Sequence, residues 1–382
     1  MTTSPTALGT KASLLDWNLT DADTRYLTHS IHRYSGKFIP QIARQAIELL
    51  TDPEDLVADP YCGSGTTLLE AALIGRRSIG IDLNPIAVLI AKAKTIAVPI
   101  SEAQPHIDYL SNALETAFAS QRSIFGYGQP PESAADSVDA WTRKWFPPRS
   151  VEQLFAIQRL VESLSNPSVR TLAMVAFSDI LRRSSRAHQG YPNVMFDKQR
   201  TDVPEPYPIF LRRLRDICDA SDQLSRIQLA PVLIVRGDAT AMPVDSESVD
   251  AIVTHPPYIG SIPYAEYGSL SLKWLGHEPR ELDRRLTGGV RQSKDVVARF
   301  ELGLKDMLAE SSRILRPGGS LFMLVGQPRV RGARVDLAGM ATRLGSSVGL
   351  RLEASVDRVG ANRRANLMGS ETGLFMRRSA RR

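Results

Sequence analysis

"DLVADPYCGSGTTLLEAALIGRRSIGIDLNP", residues 55–85, decides how the rest of the chain is read. A short apolar run ends at Asp59, glycines follow at 63 and 65, and a second apolar run ends at Asp82. The pattern predicts a strand over 55–60, a helix over 65–75, a strand over 76–83 and a second helix over 84–95, a β-α-β-α unit. Glycines between a strand and a helix let the backbone turn tightly and approach a ligand where a parallel sheet reverses its order. Asp82 ends the next strand about 20 residues further on, where a carboxylate can accept both hydroxyls of a ribose. The loop is therefore a nucleoside pocket. It lacks the third glycine of a dinucleotide fold and the G-K-[ST] of a Walker loop. Asp59, one step before it, would repel a pyrophosphate but suits a ligand carrying an ammonium and a sulfonium. S-adenosylmethionine carries both.

Further along, the alternation resumes. "VLIVRGDA" (232–239) and "VDAIVT" (249–254) read as strands, and "VVARFELGLKDMLAESSRIL" (296–315) as a long helix capped by "RPGG". "SLFMLVG" (320–326) is another strand, and "LRLEASVDRV" (350–359) with "ETGLFMRR" (371–378) forms a closing antiparallel pair. Between the two blocks, helical spacing appears in "VEQLFAIQRLVESL" (151–164), "VRTLAMVAFSDILRR" (169–183) and "IFLRRLRDICDA" (209–220), broken by proline-rich linkers at 126–137, 145–150 and 201–208. The expected organisation is an N-terminal segment (1–50) packing over the site, an α/β core (51–100 and 231–382) and a helical insertion (101–230).

"IVTHPPYIGS" (252–261) places two prolines and a tyrosine at the end of a strand. "DPYCGSGTT" and "THPPY" together resemble the cofactor and catalytic motifs of the amino-directed (N4-cytosine or N6-adenine) DNA methyltransferases, over residues 29–95 and 232–326. The resemblance implies a class I methyltransferase fold, a Rossmann-like doubly wound sheet with an antiparallel C-terminal hairpin, and S-adenosylmethionine as cofactor. It implies that Asp59, Gly63 and Gly65 hold the methionine end, with Pro60, Cys62 and Thr66 completing the loop. Asp82 then takes the ribose, Asp238 stands near the adenine amino group, and Phe38 overlies the cofactor. Thr254, His255, Pro256, Pro257 and Tyr258 become the catalytic stretch.

The chemistry of that stretch is legible. An exocyclic amino group is a poor nucleophile because its lone pair is delocalised into the ring. Acceptors against both N–H bonds favour a tetrahedral nitrogen and aim the lone pair at the sulfonium methyl. The family supplies one acceptor from the residue before the prolines and another from the first proline's carbonyl. The prolines stiffen the turn and bring no competing N–H, and Tyr258 is expected to stack on a flipped base. His255 departs from the Ser, Asp or Asn usual there. A neutral imidazole keeps one acceptor nitrogen, provided the other is held as a donor. The Thr-led form of the motif leans toward N4-cytosine, and no Cys-Pro nucleophile for cytosine-C5 chemistry is present. Two alternatives stay open: an RNA guanine-N2 methyltransferase, and a catalytically weakened DNA-binding protein of the same fold.

The bulk properties agree. The 382 residues are 43% hydrophobic and 23% charged, an ordinary globular balance, with a formal charge of +6 that favours a polyanionic partner. No apolar run reaches the roughly 18 to 20 residues of a membrane span, and no signal peptide opens the chain, so a cytoplasmic location without membrane contact is expected. Cys62 and Cys218 form neither a disulfide framework nor a zinc site. Arg182, Arg183, Arg186, Lys198 and Arg200, interleaved with Tyr191, are the expected nucleic-acid contacts. The long stretch 261–294 after the catalytic motif is a second candidate. The partner expected is duplex DNA with a flipped base, alongside a restriction or defence partner.

Overall fold

The computed structural model describes residues 7–118, 139–191, 193–259, 264–289, 293–359 and 370–380. Seven strands make its main sheet: β1 (Leu56–Asp59), β2 (Arg77–Asp82), β3 (Val232–Arg236), β4 (Val249–Thr254), β5 (Leu315–Val325), β6 (Leu350–Val359) and β7 (Ser370–Arg378). Their order is β3-β2-β1-β4-β5-β7-β6. The first five are parallel, and β7 runs antiparallel to both β5 and β6. This is the doubly wound sheet of a class I methyltransferase with its C-terminal hairpin. The order reverses between β1 and β4, and ligands bind at such a switch point, outside the carboxyl ends of the strands.

The helices in chain order are α1 (Ala7–Ser13), α2 (Pro40–Leu50), α3 (Thr66–Leu73), α4 (Pro85–Thr95), α5 (Ile100–Phe118), α6 (Ala140–Trp145), α7 (Pro148–Glu162), α8 (Pro167–Ile180) and α9 (Pro206–Ser225). They continue with α10 (Tyr264–Tyr267), α11 (Ser269–Trp274), α12 (Pro279–Arg285), α13 (Val296–Ile314) and α14 (Leu337–Ser347). Proline at the first helical position recurs because its fixed φ suits that turn and its missing N–H has no partner there anyway. In α4 the preceding Asn84 also caps, its side chain accepting the Ile86 N–H at 3.0 Å. Among the described residues no helix is long and apolar enough to cross a membrane.

Each face of the sheet is covered. Phe300, Leu304, Met307 and Leu308 of α13 pack with Ile79, Ile252 and Leu321 on one side. Trp17, Phe38, Ile42 and Ile47 pack with Val57, Phe322 and Phe375 on the other. The helices of 101–230 build a third core from Leu110, Leu154, Leu172, Phe210 and Cys218, and it runs on without a break into Ile31, Ala93 and Val98. Their apolar stripes are therefore core, and the insertion is seated on the outside of α4 and on the N-terminal segment. That segment is also tied down by charge. Glu70 of α3, wholly buried, accepts from Tyr26 Oη at 2.6 Å and Arg44 Nε at 2.7 Å, and its Oε1 lies 2.7 Å from His29 Nε2.

Two expectations change. "RPGG" (316–319) does not cap α13; it lies inside β5 as a bulge, since Val249 pairs with Leu315 but Ala251 with Ser320. An extra length of backbone inserted into a ladder has this geometry. The stretch 261–294 is no plain loop, because it carries α10, α11 and α12. The expected linker at 126–137, residues 260–263 and 290–292, and the last two residues lie outside the described residues.

Candidate active site

At the switch point a cleft is lined by Pro60, Tyr61 and Gly63 from the loop after β1, Asp82, Leu83 and Asn84 after β2, and Asp238 and Ala239 after β3. His255 and Pro257 line it after β4, Tyr34 and Gly36 come from the N-terminal segment, and Tyr264 with Arg285, Leu286 and Thr287 closes it from the far side. Nothing local to Tyr34 or Tyr264 marks either as a site residue. Each reaches the cleft only because its segment folds over the strand ends, and an unpatterned aromatic reads as core.

The glycine loop is held from beneath. Gly63 N–H donates to Asp82 Oδ2 at 2.9 Å and Asn84 N–H to Oδ1 at 2.8 Å, so the carboxylate locks two loops together while lining the cleft. Asp59 accepts from Thr254 Oγ1 at 2.7 Å and from Tyr61 N–H at 3.1 Å. Burial pushes the Asp59 and Asp82 carboxyls each up to about 6. Asp238 Oδ1 accepts the backbone and hydroxyl of Thr240 at 3.0 and 2.8 Å. Gly65 opens α3 at φ 78°, and a Cβ there would lie 2.9 Å from that of Ala91, so both conformation and space require glycine. Lys94, 1% exposed, donates to Ser64 Oγ at 3.1 Å and to Thr66 Oγ1 at 3.5 Å, joining the loop to α4.

Several expected cofactor contacts lie outside the cleft. The Cys62 side chain packs with Leu68 and Ala91 under the loop, and Thr66 is buried at the head of α3. Asp59 and Gly65 support the loop from below. Thr254 is wholly buried, with its hydroxyl spent on Asp59, so it offers no acceptor to a substrate. Phe38 stacks on His255 with ring centroids 5.0 Å apart, which makes it a backing for the imidazole and not a cover for the cofactor.

Tyr258 corrects a further expectation. Its ring is 4% exposed and does not line the cleft. It lies over Gly326, where a Cβ would come within 2.3 Å of Tyr258 Cε1, so only glycine at the end of β5 admits the ring. Its hydroxyl donates to Glu371 and lies 2.8 Å from His255 Nε2. The aromatic walls of the cleft are Tyr34 and Tyr264 instead. His255 Nδ1 is buried and has no hydrogen-bond partner among the described residues, while the Gly36 backbone favours a protonated ring. Burial pulls the His255 pKa below the ordinary imidazole value, with Glu371 opposing and Arg358 reinforcing that shift.

Residues 16–93 match the family model described as DNA methylase. The chain is 22% identical to Type II methyltransferase M.MjaII of Methanocaldococcus jannaschii, over 82% of this chain and 76% of that protein. It is 26% identical to Type II methyltransferase M.MvaI of Kocuria varians, over 72% of this chain and 65% of the relative. The chain is similar to the amino-directed DNA methyltransferases. It therefore spans just under two thirds of M.MvaI. A tRNA (guanine(10)-N2)-dimethyltransferase of Methanocaldococcus jannaschii is 42% identical, but over 13% of this chain and 15% of its own length.

The cleft suits S-adenosylmethionine on its own chemistry. Asp82 and Asp238 offer carboxylates for hydroxyl and amino groups, Gly63 leaves room at the loop, and the acidic lining favours a cationic sulfur over a phosphate.

A second cleft adjoins the first, sharing Tyr34, Asn84 and Tyr264 with it. Its walls carry Arg33, Arg182 and Arg183, with Tyr267, Gln189 and Ser271. The arginines expected on nucleic acid divide here. Arg182 donates to the carbonyls of His188, Tyr191 and Asn193, Arg186 to those of Arg143 and Lys144, and Arg200 to those of Ala187 and Arg183. Arg182 and Arg200 stitch the loop after α8 together, and Arg186 ties it to α6. Arg183, Lys198 and Tyr191 are exposed, and Arg33, which the sequence reading did not single out, is exposed beside Arg183.

Proposed function

We propose that this chain moves a methyl group from S-adenosylmethionine to an exocyclic amino nitrogen of a flipped base in DNA, N4 of cytosine in preference to N6 of adenine. The observation that carries the reading is the strand-end turn after β4, whose His255 and Pro257 line one cleft with Asp82 and Asp238. The bound cofactor supplies an electrophilic methyl on a positively charged sulfur. Asp82 holds the ribose, Asp238 stands at the adenine end, and the Gly63 loop takes the methionine end. His255 Nδ1 and the Pro256 carbonyl accept the two N–H bonds of the target amino group, which frees its lone pair for attack. Tyr34 and Tyr264 flank the base, which reaches the strand ends only once out of the duplex. The strand enters across the second cleft, its phosphates on Arg33 and Arg183. The Thr-led "THPPY" favours cytosine N4. The same reading places the enzyme in DNA modification beside a restriction or defence partner.

Incubation with labelled S-adenosylmethionine and mixed-sequence duplex DNA, with total tRNA in parallel, followed by digestion to nucleosides, tests it. N4-methylcytosine from DNA is expected. N6-methyladenine would correct the base, and label confined to tRNA would move the substrate to RNA.

A further inference from the structure

A line of buried side chains stands behind His255. Arg358 of β6 and Glu371 of β7 are cross-strand neighbours in register, 6% and 7% exposed, and their side chains form an ion pair. Arg358 is itself fixed, donating to the carbonyls of Trp17 at 2.9 Å and Asn18 at 3.3 Å. The other Glu371 oxygen accepts the Tyr258 hydroxyl. Tyr258 Oη is in turn 2.8 Å from His255 Nε2.

The protons along this line can be assigned by elimination. A carboxylate paired with arginine has no proton to give, so the single proton of Tyr258 points at Glu371. The phenol oxygen then faces His255 only as an acceptor, and the 2.8 Å contact needs a proton on Nε2. A neutral ring with Nε2–H carries a bare lone pair on Nδ1, the nitrogen that has no hydrogen-bond partner among the described residues. Sequence alone left open whether an imidazole could stand in for the family's Ser, Asp or Asn, and this arrangement supplies the missing condition.

We propose that Glu371 is a positioning residue that, through Tyr258, fixes His255 as the Nε2–H tautomer and so presents Nδ1 as the acceptor for the substrate amino group. The use made of that acceptor rests on the amino-methylation reading, whereas the tautomer does not. As the nitrogen–carbon bond forms, the carbon–sulfur bond breaks with its electron pair leaving on sulfur, and one proton of the substrate nitrogen passes to Nδ1. The resulting imidazolium keeps its Nε2–H on Tyr258, with the Glu371 charge behind it. A carboxylate that orients a catalytic histidine in hydrolases has the same physical role, here carried through one intervening phenol.

The test is the two-bond proton–nitrogen correlation spectrum of the full chain labelled with ¹⁵N-histidine, the His255 signal being assigned by its loss in His255→Asn. The expected wild-type pattern is Nε2–H with bare Nδ1. In Glu371→Gln the amide can donate to Tyr258, turning the phenol proton toward Nε2, so the ring is expected to switch to Nδ1–H. Methyl transfer should then fall about 10-fold or more while the Kd for the cofactor analogue sinefungin stays unchanged. Should Glu371→Gln fail to fold, Tyr258→Phe decides, with a mixture of tautomers expected. Nδ1–H in the wild type, or a tautomer indifferent to both substitutions, overturns the proposal. The expected tautomer in a protein that leaves DNA unmethylated would instead remove the amino-methylation reading and leave the positioning role standing.

Discussion

At the scale of single residues, two kinds of titration govern the site, and they separate by observable. Asp59 and Asp82 have carboxyls raised to about 6 by burial. Lowering the pH through about 6 protonates them and removes the charge that suits a cationic ligand, so sinefungin binding should weaken there, as calorimetry between pH 5 and 8 would record. His255 is pulled the other way, below the ordinary imidazole value. Its neutral form dominates at neutral pH, so kcat at saturating cofactor and DNA should be flat above about pH 7 and decline only below the usual imidazole range near 6.5. A kcat that rises as pH falls would contradict a neutral acceptor. Residue identities were legible where local chemistry decides them: Asp82, Gly63, Asp238 and His255 all line the cleft. Roles fixed by distant partners were not. Tyr258 is occupied by a carboxylate 113 positions away, and Thr254 by one 195 positions away, so neither pairing leaves a trace in the local pattern.

At the scale of elements, β1 through β4 follow from apolar runs bounded by turn residues, and the long amphipathic α13 from its period. "RPGG" misled because proline and glycine mark a helix end and a strand bulge alike. The loop after α8 shows the same limit. Arginines between aromatics read as a nucleic-acid surface, whereas Arg182 and Arg200 are spent on carbonyls of the loop's own irregular backbone and Arg186 on carbonyls of α6. Substitution separates the two uses. Arg200→Ala should lower stability by about 1 to 3 kcal/mol, read from chemical denaturation, because it strips the donor from the Ala187 and Arg183 carbonyls, the first of these bonds partly buried. Arg183→Ala should leave stability unchanged, weaken DNA binding and reduce the dependence of log Kd on log salt by about one phosphate contact. Equal stability losses in both variants would remove the distinction.

At the scale of the whole molecule, one arrangement follows from how the sheet is covered. The cofactor loops, the His255 shelf and the second cleft all open at the carboxyl ends of the strands, while the Glu70 cluster ties the N-terminal segment down so that Tyr34 and Gly36 close the first cleft. The insertion is not a separate body hung on the core. Its apolar centre continues into α4, which places Arg183 next to the site. The α/β frame could be read from the sequence, because strand and helix periods are local. How the helical insertion docks could not, because a core shared between segments more than a hundred residues apart has no period of its own. The central claim is that His255 accepts a proton-bearing bond of the target amino group. Single-turnover methyl transfer to duplex DNA, compared between wild type and His255→Ala at saturating cofactor, tests it most directly. A fall of about 100-fold or more with sinefungin affinity intact is predicted; a rate within about threefold of wild type would contradict it.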